Sequence, residues 1–390
     1  MPHRSPRPCP GPLPGPLPPP GRRTLPAALA LVAAIGLVAA GCGPTKSSSA
    51  SGGGNGGGSS PAATSGGSAG SATTKPVPLV IYAAEGYDAA EGAAFQKATG
   101  IPTTVDDNST GPLTTKIEAE GKNPHWDLFW VDGATVFAGL DQLHLLLQGW
   151  EPPATSNYNS VGTSLIPADK SYTPTGVTMA AALVYNTKLV KKPPTAWAQL
   201  TEPQWKGAVG MNDPSVSGPT YPYVAGIMQQ LGGVPQGEAF FRELRANGLH
   251  VYQTNTNTLQ ALETGAIKLA TVQSSAGIGA GFANKDIKVE YLKYETVLPS
   301  CLGISAYVSK QAQAEAKRFV EFVLSPAGQR VMQSGDPHGD SLFFPLVNGE
   351  SPLPAVGTPL AAIPTQNLNP YVWGPRENSL NSWFTSHIIQ

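Results

Sequence analysis

Cysteine is nearly absent. The 390 residues contain three, at Cys9, Cys42 and Cys301. The first two fall in or at the end of the leader described below, so the body keeps Cys301 alone and no intrachain disulfide forms there. Its surroundings, LPSCLGIS, are apolar and suit a buried small residue better than a reactive thiol. Charge is also scarce, at 13% of residues. Residues 1–41 hold four arginines and no acid, so the rest balances 21 basic against 26 acidic residues, a net of −5. No basic patch points to nucleic acid or to an anionic membrane surface. Catalytic signatures are missing: there is no GxSxG, HExxH, P-loop or zinc-spaced Cys/His cluster. His125, His144, His250, His338 and His387 are isolated, and Asp127 with Asp132 is the nearest approach to a carboxylate pair. An enzyme is therefore not expected, and neither is a cofactor. No internal repeat is visible.

The chain does have a leader. After a proline-rich stretch come Arg22 and Arg23, then sixteen mostly apolar residues, Leu25 to Ala40. A charged segment, a short apolar segment and small residues form a signal peptide, residues 1–41. The apolar segment is shorter than the roughly 20 residues that span a bilayer. The sequence Ala39-Ala40-Gly41-Cys42 resembles a bacterial lipobox, with alanine where leucine is more usual. That resemblance implies cleavage before Cys42, acylation of Cys42 and anchoring by lipid alone on the extracytoplasmic face of the membrane. Residues 42–76 then read as the lipidated cysteine and a Gly/Ser tether. Its 33 residues from Gly43 to Lys75 have a root-mean-square span of roughly 30 Å.

The body alternates strands and helices. LVIYA (79–83), IPTTVDD (101–107) and WDLFWVDG (126–133) read as strands separated by helices at 88–100 and 111–121. GVTMAAALVYNTKLV (176–190) and CLGISAYVSK (301–310) read as long apolar strands flanking a second strand–helix block. Two such strands suggest two crossings between two α/β lobes. Lobe 1 is expected to be 77–182 plus 301–390, and lobe 2 to be 183–300.

Ligands of open α/β sheets bind beyond the carboxyl ends of strands, where helix N-termini offer free N–H groups. Four such ends are rich in small hydroxyl residues: AAEGYD (83–88), DNSTGP (107–112), DPSVSGPTY (213–221) and QSSAG (273–277). They nominate Ser109, Thr110, Ser217, Ser274 and Ser275 as ligand contacts. Each stretch alone fits an ordinary helix cap equally well.

With the lipobox, six blocks resemble the extracellular solute-binding proteins of ABC importers, in the branch of ferric-ion and organophosphonate binders. They are VIYAAEGYDAAEGAAFQKATGI, GPLTTKIEAEGKNPHWDLFWVDG, TGVTMAAALVYNTKLV, PPTAWAQLTEPQWKGAVGMNDPSVSGPTY, QALETGAIKLATVQSS and AKRFVEFVLSPAGQRVM. The resemblance covers about 77–390. It implies an α/β, two-lobed periplasmic-binding-protein-like fold of type II, a ligand cleft between the lobes, an ABC permease as partner and a monomer in solution. It also aligns Tyr87, Asp132 and Tyr221 with ferric ligands. The adjacent tyrosines of the ferric binders are replaced here by Ser274 and Ser275. Neutral hydroxyls are poor ligands for Fe³⁺. A small anionic solute, a phosphonate or phosphate ester, is therefore favoured over iron, with Asp132 free to hold an ammonium group and Tyr87, Tyr221 and Tyr223 to donate hydrogen bonds.

Overall fold

The computed structural model describes residues 75–390. The expected signal peptide, Cys42 and all but the end of the expected tether lie outside the described residues. The strands are β1 (Leu79–Ala83), β2 (Thr103–Asp107), β3 (Leu128–Asp132), β4 (Thr173–Met179), β5 (Ala182–Asn186), β6 (Val209–Asn212), β7 (His250–Tyr252), β8 (Leu269–Val272), β9 (Ile287–Glu290), β10 (Glu295–Ile304), β11 (Phe344–Pro345) and β12 (Thr365–Gln366). The helices are α1 (Asp88–Thr99), α2 (Thr110–Glu120), α3 (Ala134–Gln142), α4 (Ser160–Leu165), α5 (Thr220–Gln230), α6 (Val234–Ala246), α7 (Asn255–Glu263), α8 (Ser274–Ala283), α9 (Lys310–Leu324), α10 (Pro326–Gly335), α11 (Pro370–Trp373) and α12 (Glu377–Phe384).

Two mixed sheets result. The first runs β11-β4-β10-β3-β1-β2, with β12 beside the start of β10. The second runs β7-β6-β8-β5-β9. Strands β1, β2 and β3 are parallel to one another, as are β6, β7 and β8. Parallel strands covered by helices on both faces are apolar along their length, as LFWVD of β3 is, with every residue buried. Phe95 of α1 packs edge-on to Phe319 of α9 with ring centroids 5.1 Å apart. Burying one such ring contributes about 1.5–3 kcal/mol. Ser309 and Ser325 start α9 and α10 by accepting hydrogen bonds from Ala312 N and Gly328 N.

The expected long strand at 176–190 is two strands in two sheets. Its apolar run continues through Ala180 and Ala181, but the chain crosses there from β4 to β5. The return crossing lies at residues 291–294, between β9 and β10. Tyr294 takes φ 62 in that crossing, a backbone region uncommon for a bulky side chain. Strand β10 starts at Glu295, so the expected boundary at 300/301 falls inside a strand of the first sheet. The carboxyl-terminal residues also differ from the expectation. Trp373, Leu380, Phe384 and Ile388 join the core of the second sheet, against Tyr221 and Phe241.

Candidate functional site

The carboxyl ends of β1, β2, β3, β6 and β8 open on one cavity of about 390 Å³. Five helix starts face it. They belong to α1 (Glu85 and Gly86), α2 (Asn108 to Thr110), α5 (Ser217 to Pro219), α7 (Thr254 to Thr256) and α8 (Gln273). At none of the five does the residue before the helix accept a side-chain capping bond. Ser109 and Thr254 are good capping residue types, and Thr254 Oγ1 donates to Asn257 Oδ1 instead. Away from this cavity, α4, α9, α10 and α11 are capped by a side chain, while α3, α6 and α12 are not. Uncapped N–H groups and the helix dipole, about half a charge per terminus, favour an anion in this space.

The walls are acidic. Glu85, Asp107, Asp132 and Asp340 line the cavity, and no lysine or arginine does among the described residues. Burial first, then the charges of Asp132 and Asp340, pushes the Glu85 carboxyl well above its usual range. Asp132 is pushed up by burial and by Asp340, while its hydrogen bond from Gln273 opposes the shift. Asp340 is raised chiefly by burial. The carboxylates are held in place. Glu85 Oε1 accepts from Ser300 Oγ at 2.6 Å, and Trp130 Nε1 donates to the same Ser300 oxygen at 3.0 Å. Gly86 N donates to Asp340 Oδ2 at 2.9 Å. Gln273 Nε2, from the second sheet, donates to Asp132 Oδ2 of the first at 2.7 Å. Gly111 N donates to Val216 O at 3.3 Å, so the lobes touch at the cavity's edge.

The structure distributes the sequence candidates unevenly. Ser109, Thr110, Asp132 and Ser217 line the cavity together. Ser274 and Ser275 open α8 but do not line it, and both are buried. Ser274 Oγ accepts from Met179 N at 3.0 Å, and Ser275 Oγ donates to Asp340 Oδ1 at 3.3 Å. Their hydroxyls thus bond to β4 and to the 336–340 turn. Tyr87 packs in the core of the first sheet, 5.3 Å from the Trp130 ring centroid and 6.1 Å from that of Phe343. Tyr221 donates its hydroxyl to Trp373 O at 2.5 Å, inside the second core. Tyr223 is buried there as well, 5.2 Å from the Trp197 ring centroid. The Tyr87 hydroxyl lies beside Glu85, Ser300 and Asp132, whereas Tyr221 is turned away to Trp373 O, so the three do not meet as one set. No group of three His, Cys, Asp or Glu side chains able to hold a metal ion occurs among the described residues. Cys301 is free and buried, with its thiol pushed up by burial.

Sequence reasoning missed Glu85, Asp107, Asn108, Thr254, Asn255, Gln273 and Asp340. Several lie inside the stretches already singled out, AAEGYD, DNSTGP and QSSAG, where attention went to the hydroxyls. The Thr/Asn-rich start TNTNT of α7 carried a readable signal; Asp340, in the turn DPHGD, did not.

Comparison with known proteins agrees with this architecture. The family model described as "Bacterial extracellular solute-binding protein" matches residues 92–336. The "Major ferric iron-binding protein" of Neisseria meningitidis serogroup B is 25% identical over 302 residues, 72% of this chain and 88% of that protein. A periplasmic protein of Salmonella typhimurium named for 2-aminoethylphosphonate binding is 24% identical over 241 residues, 60% of this chain and 68% of that protein. Among solved structures, iron-bound HitA from Pseudomonas aeruginosa aligns at a TM-score of 0.69 and 24% identity, covering 79% of this chain and 99% of that one. The fructose-6-phosphate-bound AfuA of Actinobacillus pleuropneumoniae aligns at 0.71 and 19% identity, covering 81% and 99%. These likenesses give the fold as two-lobed and of type II. The chain belongs to the bacterial extracellular solute-binding protein family, whose members bind small solutes and work with ABC permeases.

Proposed function

We propose that this solute-binding protein captures a small solute bearing a phosphonate or phosphate-ester group in the cavity between its lobes. One observation carries the reading: five helix starts without side-chain caps converge on a single cavity. Ser109, Thr110 and Ser217 add hydroxyl donors. The lobes hinge at Ala180–Ala181 and at residues 291–294 and close over the solute. Acylated Cys42 holds the protein, as a monomer, on the extracytoplasmic face of the membrane, and the tether lets the body reach its permease. No catalytic role is proposed.

Ferric iron is the alternative. Against it stands the engagement of Tyr221 with Trp373 O. Native mass spectrometry of the purified protein tests the choice. The expected result is one phosphorus-containing solute per chain, retained from the cell or taken up from a mixture of phosphonates and phosphate esters. Uptake of one Fe³⁺ per chain with no phosphorus compound would return the ferric alternative.

A further inference from the structure

We propose that a second cavity, walled by α2, α3, α12 and the turn before α5, binds a small organic cation through a guanidinium or primary ammonium group. The proposal is independent of the phosphonate or phosphate-ester reading.

This cavity measures about 680 Å³ and shares only Thr110 and Gly218 with the solute cavity. Its size falls within the roughly 300–1,000 Å³ of small-molecule sites. Two of its lining residues carry a buried oxygen without a hydrogen-bond partner among the described residues: Glu377 Oε2 and Asn381 Oδ1. Glu377 and Asn381 stand four positions apart on α12 and so share one face. Buried polar atoms are ordinarily paired, and two unpaired acceptors on one cavity wall are a place for donors from outside the chain. Glu118 of α2 lies beside them. Its Oε1 accepts from Asn378 Nδ2 at 3.4 Å. Burial first, then the Glu118 charge, pushes the Glu377 carboxyl up to about 8, against the Thr135 hydroxyl, which lowers it.

The hydroxyls around the cavity are acceptors too. Thr114 Oγ1 donates to Thr110 O and Thr115 Oγ1 to Gly111 O. Ser382 Oγ donates to Asn378 O, Ser386 Oγ to Ser382 O and Ser215 Oγ to Asp213 Oδ1. Each gives its proton to its own segment and keeps lone pairs to accept with. No lysine, arginine or histidine lines the cavity among the described residues.

These acceptors decide what can enter. A carboxylate or phosphate would add like charge beside Glu118 and Glu377. An apolar molecule would leave both buried oxygens unpaired. A bare metal ion finds no group of three His, Cys, Asp or Glu side chains among the described residues. A guanidinium offers five donors in a plane and an ammonium three, enough to reach Glu377 Oε2 and Asn381 Oδ1 together. The positive charge also takes the place of the proton that burial favours on Glu377.

Calorimetry of the purified protein with n-butylguanidinium and its uncharged isostere n-butylurea tests this. The expected result is that the guanidinium binds at least about tenfold more tightly than the isostere, the effect of one hydrogen bond between charged partners. Glu377→Gln and Asn381→Lys should each weaken guanidinium binding by at least about tenfold, the first by removing the charge and the second by placing an ammonium of its own in the cavity. Circular dichroism establishes that each variant folds. Equal affinities of the two probes, no guanidinium binding by the wild type, or wild-type affinity in either folded variant would overturn the cation site and leave the phosphonate reading standing. Should one variant fail to fold, the other and the wild-type pair of probes still decide.

Discussion

Single residues show where local chemistry was readable and where it was not. The two serines after β8 looked like ligand contacts because they open a helix at a strand end. Sequence places them on α8 but cannot reveal that Met179 N and Asp340 come within reach, since these partners are 95 and 65 residues away. Ser274→Ala would leave the buried Met179 N–H without an acceptor, at a cost of about 1–3 kcal/mol. Urea unfolding should show that loss as a lower midpoint with an unchanged slope; an unchanged midpoint would mean the bond contributes nothing. Tyr87 and Tyr221 teach the same lesson, because a tyrosine at a helix start is equally suited to a core with one hydrogen-bonded tip.

A second residue-scale consequence concerns Glu91, fully buried on α1, whose carboxyl burial pushes up to about 9. The folded state therefore binds a proton that the unfolded state, with an ordinary glutamate near 4.3, has released at neutral pH. Stability falls as pH rises between those values. The loss by pH 7 is on the order of 4 kcal/mol, at about 1.4 kcal/mol per unit. Glu91→Gln should remove this residue's share of the slope. The check is urea unfolding at pH 5 and pH 8: the variant should lose less stability than the wild type, and an equal loss would show that Glu91 does not contribute.

At the scale of elements, the strand–helix alternation was legible because parallel strands buried on both faces are continuous apolar runs, as LVIYA and LFWVD are. The crossings were less legible. MAAALV reads as one strand, because the residues that leave one sheet and enter the next are apolar on both sides. The carboxyl-terminal helices were unreadable in their partner: nothing in the sequence assigns Trp373 and Phe384 to the second core rather than the first. The helix starts were legible in position, through their Ser, Thr and Gly content. Their convergence was a matter of topology.

The contact between α2 and the turn before α5 gives an element-scale prediction. Gly111 N meets Val216 O, and a Cβ on Gly111 would collide with the backbone carbonyl of Ser215. Gly111→Val should keep the lobes from closing. Solute affinity should fall at least about tenfold, roughly 1.4 kcal/mol, while small-angle scattering of the solute-saturated variant should retain the larger radius of the open form. Wild-type affinity and compaction in the variant would show that closure does not pass through this contact.

For the whole molecule, the two-lobed fold was written in the sequence, in its strand–helix rhythm. The chemistry of the cavity was written only in part. Hydroxyl residues advertise themselves beside glycine, whereas an acidic wall assembles from β1, β2, β3 and the 336–340 turn, which meet only in the folded chain. The anchor can be tested apart from the fold. Cys42→Ala should release the protein from the membrane fraction or leave the precursor unprocessed; a processed, membrane-bound variant would remove the lipid anchor from the proposal.

The most direct measurement is a crystal structure of the protein grown with 2-aminoethylphosphonate. The expected result is one solute between the lobes, its phosphonate oxygens against the starts of α2, α5 and α7 and its nitrogen against Asp132. Solute bound anywhere else on the molecule, or an empty cavity at saturating concentration, would contradict the proposed site.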